Sequence, residues 1–195
     1  MRKIIATLIV LGSCFTMHAQ QVGTTTITFN DPARSGGFGS GGGPGRQIQT
    51  EIYYPASTAG VDVSITSGEY PIVVFGHGFV MSWDAYENVW TDLVANGYIV
   101  AFPRTEGGFS PSHADFGKDL ALVVDKLLLL NDDTNSLFFN SLSGKAGICG
   151  HSMGGGATFI AANETANIQT IIGLAPAETN PSAVSAAGTV TLPTL

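Results

Sequence analysis

Gly150-His151-Ser152-Met153-Gly154 constrains this chain more than any other stretch. The apolar residues 146–149 precede it and the small residues Gly155-Gly156-Ala157 follow. That order predicts a buried strand, a tight turn, and a helix running from 152 to about 163. A Gly-x-Ser-x-Gly turn strains the backbone, so its flanks must be small enough for strand and helix to approach each other. The turn lifts a serine hydroxyl to the top of a sheet, at a helix N-terminus whose free N–H groups favour developing negative charge. Such a turn is a nucleophile elbow, and Ser152 is its candidate nucleophile.

The rest of the chain supplies the sheet. Residues 24–29 and 47–54, rich in Thr, Ile and Tyr, read as strands. Between them, 35–45 is almost all glycine with Ser, Phe and Pro, a composition that predicts a mobile loop. From residue 70 the pattern alternates: strands at 71–75, 98–102, 146–149 and 169–174, with helices at 84–96 and 116–130 between them. Tyr86, Trp90, Leu93 and Val94 share one face of the first helix, Asp84 and Glu87 stand in capping-box spacing, and Gly97 ends it. Residues 190–195 begin one more strand. Alternation of this kind predicts an α/β fold, a mostly parallel doubly wound sheet covered on both faces. Ligands on such sheets bind at the carboxyl ends of the strands, where Ser152 lies. Residues 21–195 read as one domain.

Residues 1–20 read as an export signal outside that domain. Arg2 and Lys3 form a positive start, 4–15 an apolar run too short to span a bilayer, and Met17-His18-Ala19 a cleavage site. Leu11-Gly12-Ser13-Cys14 resembles a loose lipoprotein box, so a lipid anchor on Cys14 is the alternative to a freely secreted or periplasmic protein; the brief apolar stretch favours the latter. With Cys14 removed, Cys149 is the remaining cysteine, expected to be a buried small hydrophobe without a disulfide. The formal net charge of −7 and the lack of a basic patch argue against nucleic acid as a partner.

A second motif complements the elbow. Gly76-His77-Gly78-Phe79 follows the strand at 71–75. In sheets of this order, the loop here supplies one oxyanion N–H and the residue after the nucleophile supplies the other. The donors are then the backbone amides of Phe79 and Met153, and losing one typically costs roughly a hundredfold or more in rate. The side chains of Phe79, His151 and Met153 are expected to line an apolar substrate cleft. His77 is expected to brace its loop, and His113 to be a solvated or capping residue. His151 sits on the wrong side of the turn to take the Ser152 proton, and His18 leaves with the signal. The triad order in this fold is Ser, then Asp or Glu, then His. Asp115, Asp119 and Asp125 belong to the 116–130 helix or its entry, and Glu178 follows a strand one element too early. The triad Asp and His are therefore expected to be absent from this chain, which reads as truncated, its sheet incomplete at the C-terminal end.

Several stretches carry a resemblance. Tyr53-Tyr54-Pro55, Val73-Val74-Phe75-Gly76-His77-Gly78-Phe79, Gly150-His151-Ser152-Met153-Gly154-Gly155-Gly156 and Leu192-Pro193-Thr194-Leu195 resemble the α/β-hydrolase superfamily, in particular cutinase-like polyester hydrolases and dienelactone-hydrolase-type esterases. Asp31-Pro32-Ala33-Arg34, then Arg46 and Glu51-Ile52-Tyr53-Tyr54-Pro55, is similar to secreted esterases grouped with platelet-activating-factor acetylhydrolases. The resemblance implies Ser152 as nucleophile, Phe79 and Met153 as oxyanion donors, the Phe79 ring flanking the acyl site, and His151 at a position often His or Trp. It departs at Ala175-Pro176-Ala177, where polyester hydrolases commonly carry a tryptophan after Ala-Pro.

The expected function is hydrolysis of carboxylic esters through an acyl-enzyme on Ser152. No metal and no organic cofactor is expected; the partner is a small-molecule or polymeric ester, and the protein a monomer. A polyester hydrolase is the close alternative. The alternative of another class is a non-catalytic hydrolase-fold binding protein or an inactive fragment.

Overall fold

The computed structural model describes residues 20–195. The expected signal, with Cys14 and His18, therefore falls outside the described residues apart from Gln20. Eight strands form one sheet in the order β4-β1-β3-β6-β5-β7-β8, with β2 (Gly37–Phe38) added against β3 and β4 (Gly60–Val61) paired in parallel with β1. β1 (Gln21–Asp31) and β3 (Arg46–Ala56) run antiparallel over eleven residues each. β3 is antiparallel to β6 (Ile99–Pro103). From β6 onward, β5 (Tyr70–Gly76), β7 (Leu142–His151) and β8 (Thr170–Leu174) are all parallel. Apolar residues fill the parallel strands because both their faces are covered. This is the α/β arrangement, with a mostly parallel sheet, expected from the alternation of strands and helices.

The helices divide between the faces. α2 (His113–Leu129) and α3 (Met153–Ala161) cover the larger core, around Ile48, Ile52, Tyr54, Val74, Phe116 and Ile148. α1 (Glu87–Ala95) covers the other, around Phe75, Tyr86, Val94 and Phe102, where Tyr53 stacks on Trp90 at 4.3 Å. α4 (Ala183–Ala187) closes the described chain beside α3.

Several sequence expectations change in detail. The helix expected at 84–96 is a 3-10 turn, Trp83–Tyr86, followed by α1, and neither start carries a side-chain cap. Asp84 bonds the Ser82 hydroxyl instead of the backbone, which is why the capping-box spacing does not act as one. α2 starts three residues before 116, because the Ser112 side chain caps it by accepting from the Asp115 N–H at 3.2 Å. Residues 190–195 form no strand; Thr194 makes a single parallel bridge to Ile171.

The glycine-rich stretch, expected to be a mobile loop, folds back on the sheet. Gly37–Phe38 (β2) pairs in parallel with Gln47 and Ile48. The Gln47 side chain donates to the Gly43 carbonyl at 2.6 Å and accepts from the Gly42 N–H at 3.0 Å. One amide side chain thus replaces the backbone partners that a run of glycines lacks.

Candidate active site

Strand register fixes the site. On the parallel pair β5–β7, Phe75 aligns with Cys149 and Gly76 with Gly150, so both strands end at one level. β5 lies between β6 and β7, the point where the strand order reverses and a crevice opens. Two loops leave side by side there: His77–Ser82 from β5, and the turn at Ser152 from β7.

Ser152 has φ 53° and ψ −115°, a conformation that side chains rarely adopt and that the surroundings must hold. Its N–H donates to the Leu174 carbonyl at 2.9 Å, and its carbonyl accepts from the N–H groups of Ala177 at 2.9 Å and Gly156 at 3.0 Å. The small flanks are demanded by contact. A Cβ on Gly150 would sit 2.3 Å from the Gly154 carbonyl oxygen, and one on Gly154 would sit 2.1 Å from the Gly76 oxygen. Positive φ values recur at Val80, Glu106 and Ala175, in the loops that flank the turn. For a β-branched residue such as Val80, this is a strained state.

The sequence expectation names the backbone amides of Phe79 and Met153 as oxyanion donors. Among the described residues, neither the Phe79 nor the Met153 N–H has a hydrogen-bond partner. Gly154 N–H donates to the His77 carbonyl at 3.1 Å, which ties the two loops together. Phe79 keeps its ring 51% exposed. Met153 differs from expectation: its side chain is only 3% exposed and packs in the main core, so it offers its backbone and not a cleft wall. The α3 helix that begins at Met153 turns that side chain inward.

Each histidine among the described residues has partners away from Ser152. His77 is buried and braces its loop, with Nε2 2.8 Å from the Thr105 carbonyl and Nδ1 2.9 Å from the Gly78 carbonyl. His151 is half-buried, and its Nδ1 lies 3.0 Å from the Tyr86 hydroxyl. His113 does not cap α2: it opens the helix, is half-buried, and its Nδ1 accepts from the Asn180 N–H at 3.0 Å at the surface. Among the described residues, no side chain bonds the Ser152 hydroxyl, so none of these histidines is in place as its base. Asp115 and Asp119 face Arg34 and Arg46, Asp125 bonds Thr165, and Glu178 accepts from the Val184 N–H at 3.2 Å. No group of three His, Cys, Asp or Glu side chains among the described residues is placed to hold a metal ion. Cys149 is a buried free thiol, pushed up to about 11 by burial, beneath the turn.

Sequence reading placed Tyr86 on a helix face and missed its part in the site. Its hydroxyl accepts from the Gly78 N–H at 2.8 Å, which directs its proton to His151 Nδ1 or to Met81 Sδ at 3.2 Å. Burial raises its pKa, so that proton is retained at neutral pH. An ionic cluster holds the neighbouring loop. Arg46 donates to both Asp119 oxygens at 2.7–3.1 Å and to Glu106 at 2.6 Å, while the Glu106 carboxylate also accepts from the Ser112 N–H. Arg34 NH2 lies 2.8 Å from the same Asp119, too poorly angled for a hydrogen bond but close enough for an ion pair.

A sequence model of the PET hydrolase-like family matches residues 16–195. Bis(hydroxyethyl) terephthalate hydrolase of Streptomyces coelicolor is 30% identical over 140 residues, covering 72% of this chain and 38% of that protein. Chlorophyllase-2 of Arabidopsis thaliana is 27% identical over 125 residues, 60% of this chain and 39% of that one. The chain thus spans about two fifths of the length of these curated relatives. A solved ferulic acid esterase from Streptomyces cinnamoneus superposes with a TM-score of 0.62 at 18% identity, over 84% of this chain and 61% of that one, a likeness of fold.

Proposed function

The chain belongs to the PET hydrolase-like family, and from that premise we propose that the whole protein hydrolyses carboxylic esters through an acyl-enzyme on Ser152. The observation that carries this reading is the strained Ser152, with a free hydroxyl, beside two unpartnered N–H groups on Phe79 and Met153. In the proposed reaction, the Ser152 oxygen attacks the ester carbonyl and the two N–H groups hold the tetrahedral oxyanion. Its collapse expels the alcohol, and water then releases the acid. The base that takes the Ser152 proton, and its acidic partner, come in this proposal from outside residues 20–195. His77, His113 and His151 are all engaged elsewhere.

Reaction of the full-length protein with a fluorophosphonate probe tests the assignment. Labelling at Ser152, lost in Ser152→Ala together with hydrolysis of p-nitrophenyl butyrate, is the expected result. Hydrolysis that persists in Ser152→Ala removes the nucleophile assignment, and a protein that never labels is a binding scaffold. The name of one relative and the exposed rings of Phe79 and Phe38 favour polyester fragments as a second reading of the substrate. Export, with cleavage after Ala19, is part of the proposal; a mature N-terminus at Gln20 is its expected signature.

A further inference from the structure

We propose that the cleft beside Arg104 is an anion subsite, one that takes the free carboxylate of a half-ester, a dicarboxylic acid esterified at one end only. The inference rests on the ester-hydrolase reading of Ser152 for the ester half of that ligand. What the carboxylate half meets is carried by Arg104 itself.

Arg104 follows Pro103, the last residue of β6, and its backbone N–H donates to the Gln49 carbonyl of β3 at 2.9 Å. Its guanidinium lies over the Trp83 ring at 3.9 Å and over the Phe38 ring at 4.8 Å. Nη1 donates to Gln49 Oε1 and to Glu51 Oε1, at 2.9 Å each. Those bonds use both Nη1 hydrogens of the five N–H groups that a guanidinium carries. Among the described residues, the other three have no acceptor: Nε is buried without a partner, and Nη2 is unpartnered and accessible. A cation held by two rings and two acceptors has little side-chain freedom left to lose, so it is preorganised for a planar anion.

The cleft measures about 460 Å³, within the range of roughly 300–1,000 Å³ of small-molecule sites. Arg104 lines it together with Phe38, Trp83, Glu106, Gly107 and Gly108. The N–H groups of Gly107 and Gly108 have no protein acceptor among the described residues, and a Cβ on Gly108 would meet nothing within 4 Å. The carboxylates around Arg104 are engaged. Glu51 accepts from Arg104 and from the Thr26 hydroxyl at 2.7 Å, Glu106 from Arg46 and the Ser112 N–H, and Asp84 from the Ser82 hydroxyl. The unmatched side-chain group of the cleft is therefore a charged donor, which suits a carboxylate.

The sheet sets this donor beside the serine. Ala101 of β6 and Ile148 of β7 both align with Val74 of β5. Two residues on, Pro103 and Gly150 therefore stand level, two strand spacings or about 10 Å apart. Arg104 and the Ser152 turn leave the sheet from those points, at the same end. A dicarboxylate with a few carbons between its ends spans that separation.

Calorimetric titration of the full-length protein at neutral pH tests this without requiring turnover. The probes are adipic acid monobutylamide, a half-ester mimic whose amide resists hydrolysis, and the neutral N,N′-dibutyladipamide. The acid is expected to bind at least about tenfold more tightly than the diamide. That preference is expected to vanish in Arg104→Gln and to shrink as NaCl is raised. It should grow at least about threefold in Glu51→Gln, which keeps an acceptor for Nη1 and removes the opposing charge. Equal affinity for acid and diamide, a preference that survives Arg104→Gln, or one that fails to grow in Glu51→Gln overturns the subsite. The salt series and Glu51→Gln keep Arg104 in place, so they decide the matter even where Arg104→Gln folds poorly. Hydrolysis surviving Ser152→Ala would instead remove the catalytic reading, while the titration still decides the cleft.

Discussion

At the residue scale, the site depends on groups that hold backbone amides where charge will develop. Tyr86 does this for the Gly78 amide, one residue before the proposed donor Phe79. Tyr86→Phe removes the only acceptor that Gly78 N–H has among the described residues and leaves the ring packing against Phe75 in place. A lost hydrogen bond of this kind is worth about 1 kcal/mol, so fluorophosphonate labelling of Ser152 is expected to slow by roughly five- to tenfold with little change in melting. His151→Ala keeps the bond to Gly78 and should slow labelling less. An unchanged rate in Tyr86→Phe would mean that the loop is positioned by its strained backbone and His77 alone. The elbow itself was legible because steric exclusion writes itself into sequence as glycine at fixed spacing. Tyr86 was not, because periodicity reports which face of a helix is buried and says nothing about where a hydroxyl at its edge ends up.

At the element scale, the ion pairs join β1 and β3 to α2. Arg34 donates to Asp31 at the end of β1 at 2.6 Å and to Asp115 in α2 at 3.2 Å. Its hydrogen bond holds the Asp31 carboxyl below the ordinary value of 3.8. A carboxyl lowered in the folded state stabilises the fold above its unfolded pKa, and that contribution disappears as pH falls through the folded pKa. Asp31→Asn should therefore lower the denaturation midpoint at neutral pH, and the difference from wild type should close as pH falls below the ordinary carboxylate range. A gap that stays constant with pH would mean that the charge of the Asp31 carboxylate contributes nothing to the effect. The strands and helices of this region followed from alternation and helical spacing. Their ionic ties did not, since Arg46 and Asp119 lie 73 positions apart in the chain and meet only once it is folded. The same holds for β2, whose backbone pairing depends on Gln47 and not on any property of the glycines themselves.

At the scale of the whole molecule, the larger core supports the site at one end of α2 and not at the other. Phe116 and Leu127 are both fully buried in that core. Eleven residues of helix at 1.5 Å per residue put them about 16 Å apart. Phe116 packs under the His77 ring, 4.8 Å between centroids, whereas Leu127 lies near the helix C-terminus. Truncating either to alanine removes comparable apolar volume, about 3–5 kcal/mol for Phe116 and about 2–5 kcal/mol for Leu127. Their effects on reactivity should diverge. Phe116→Ala frees His77 to tilt into the space, and with it the carbonyl that holds the Gly154 N–H, so labelling of the folded protein should slow. Leu127→Ala should shift the urea midpoint while folded molecules label at the wild-type rate. If both variants slow labelling alike, the core transmits strain along the whole helix, as close-packed interiors do. If neither does, the tie between His77 and Thr105 at 2.8 Å suffices to hold the loop.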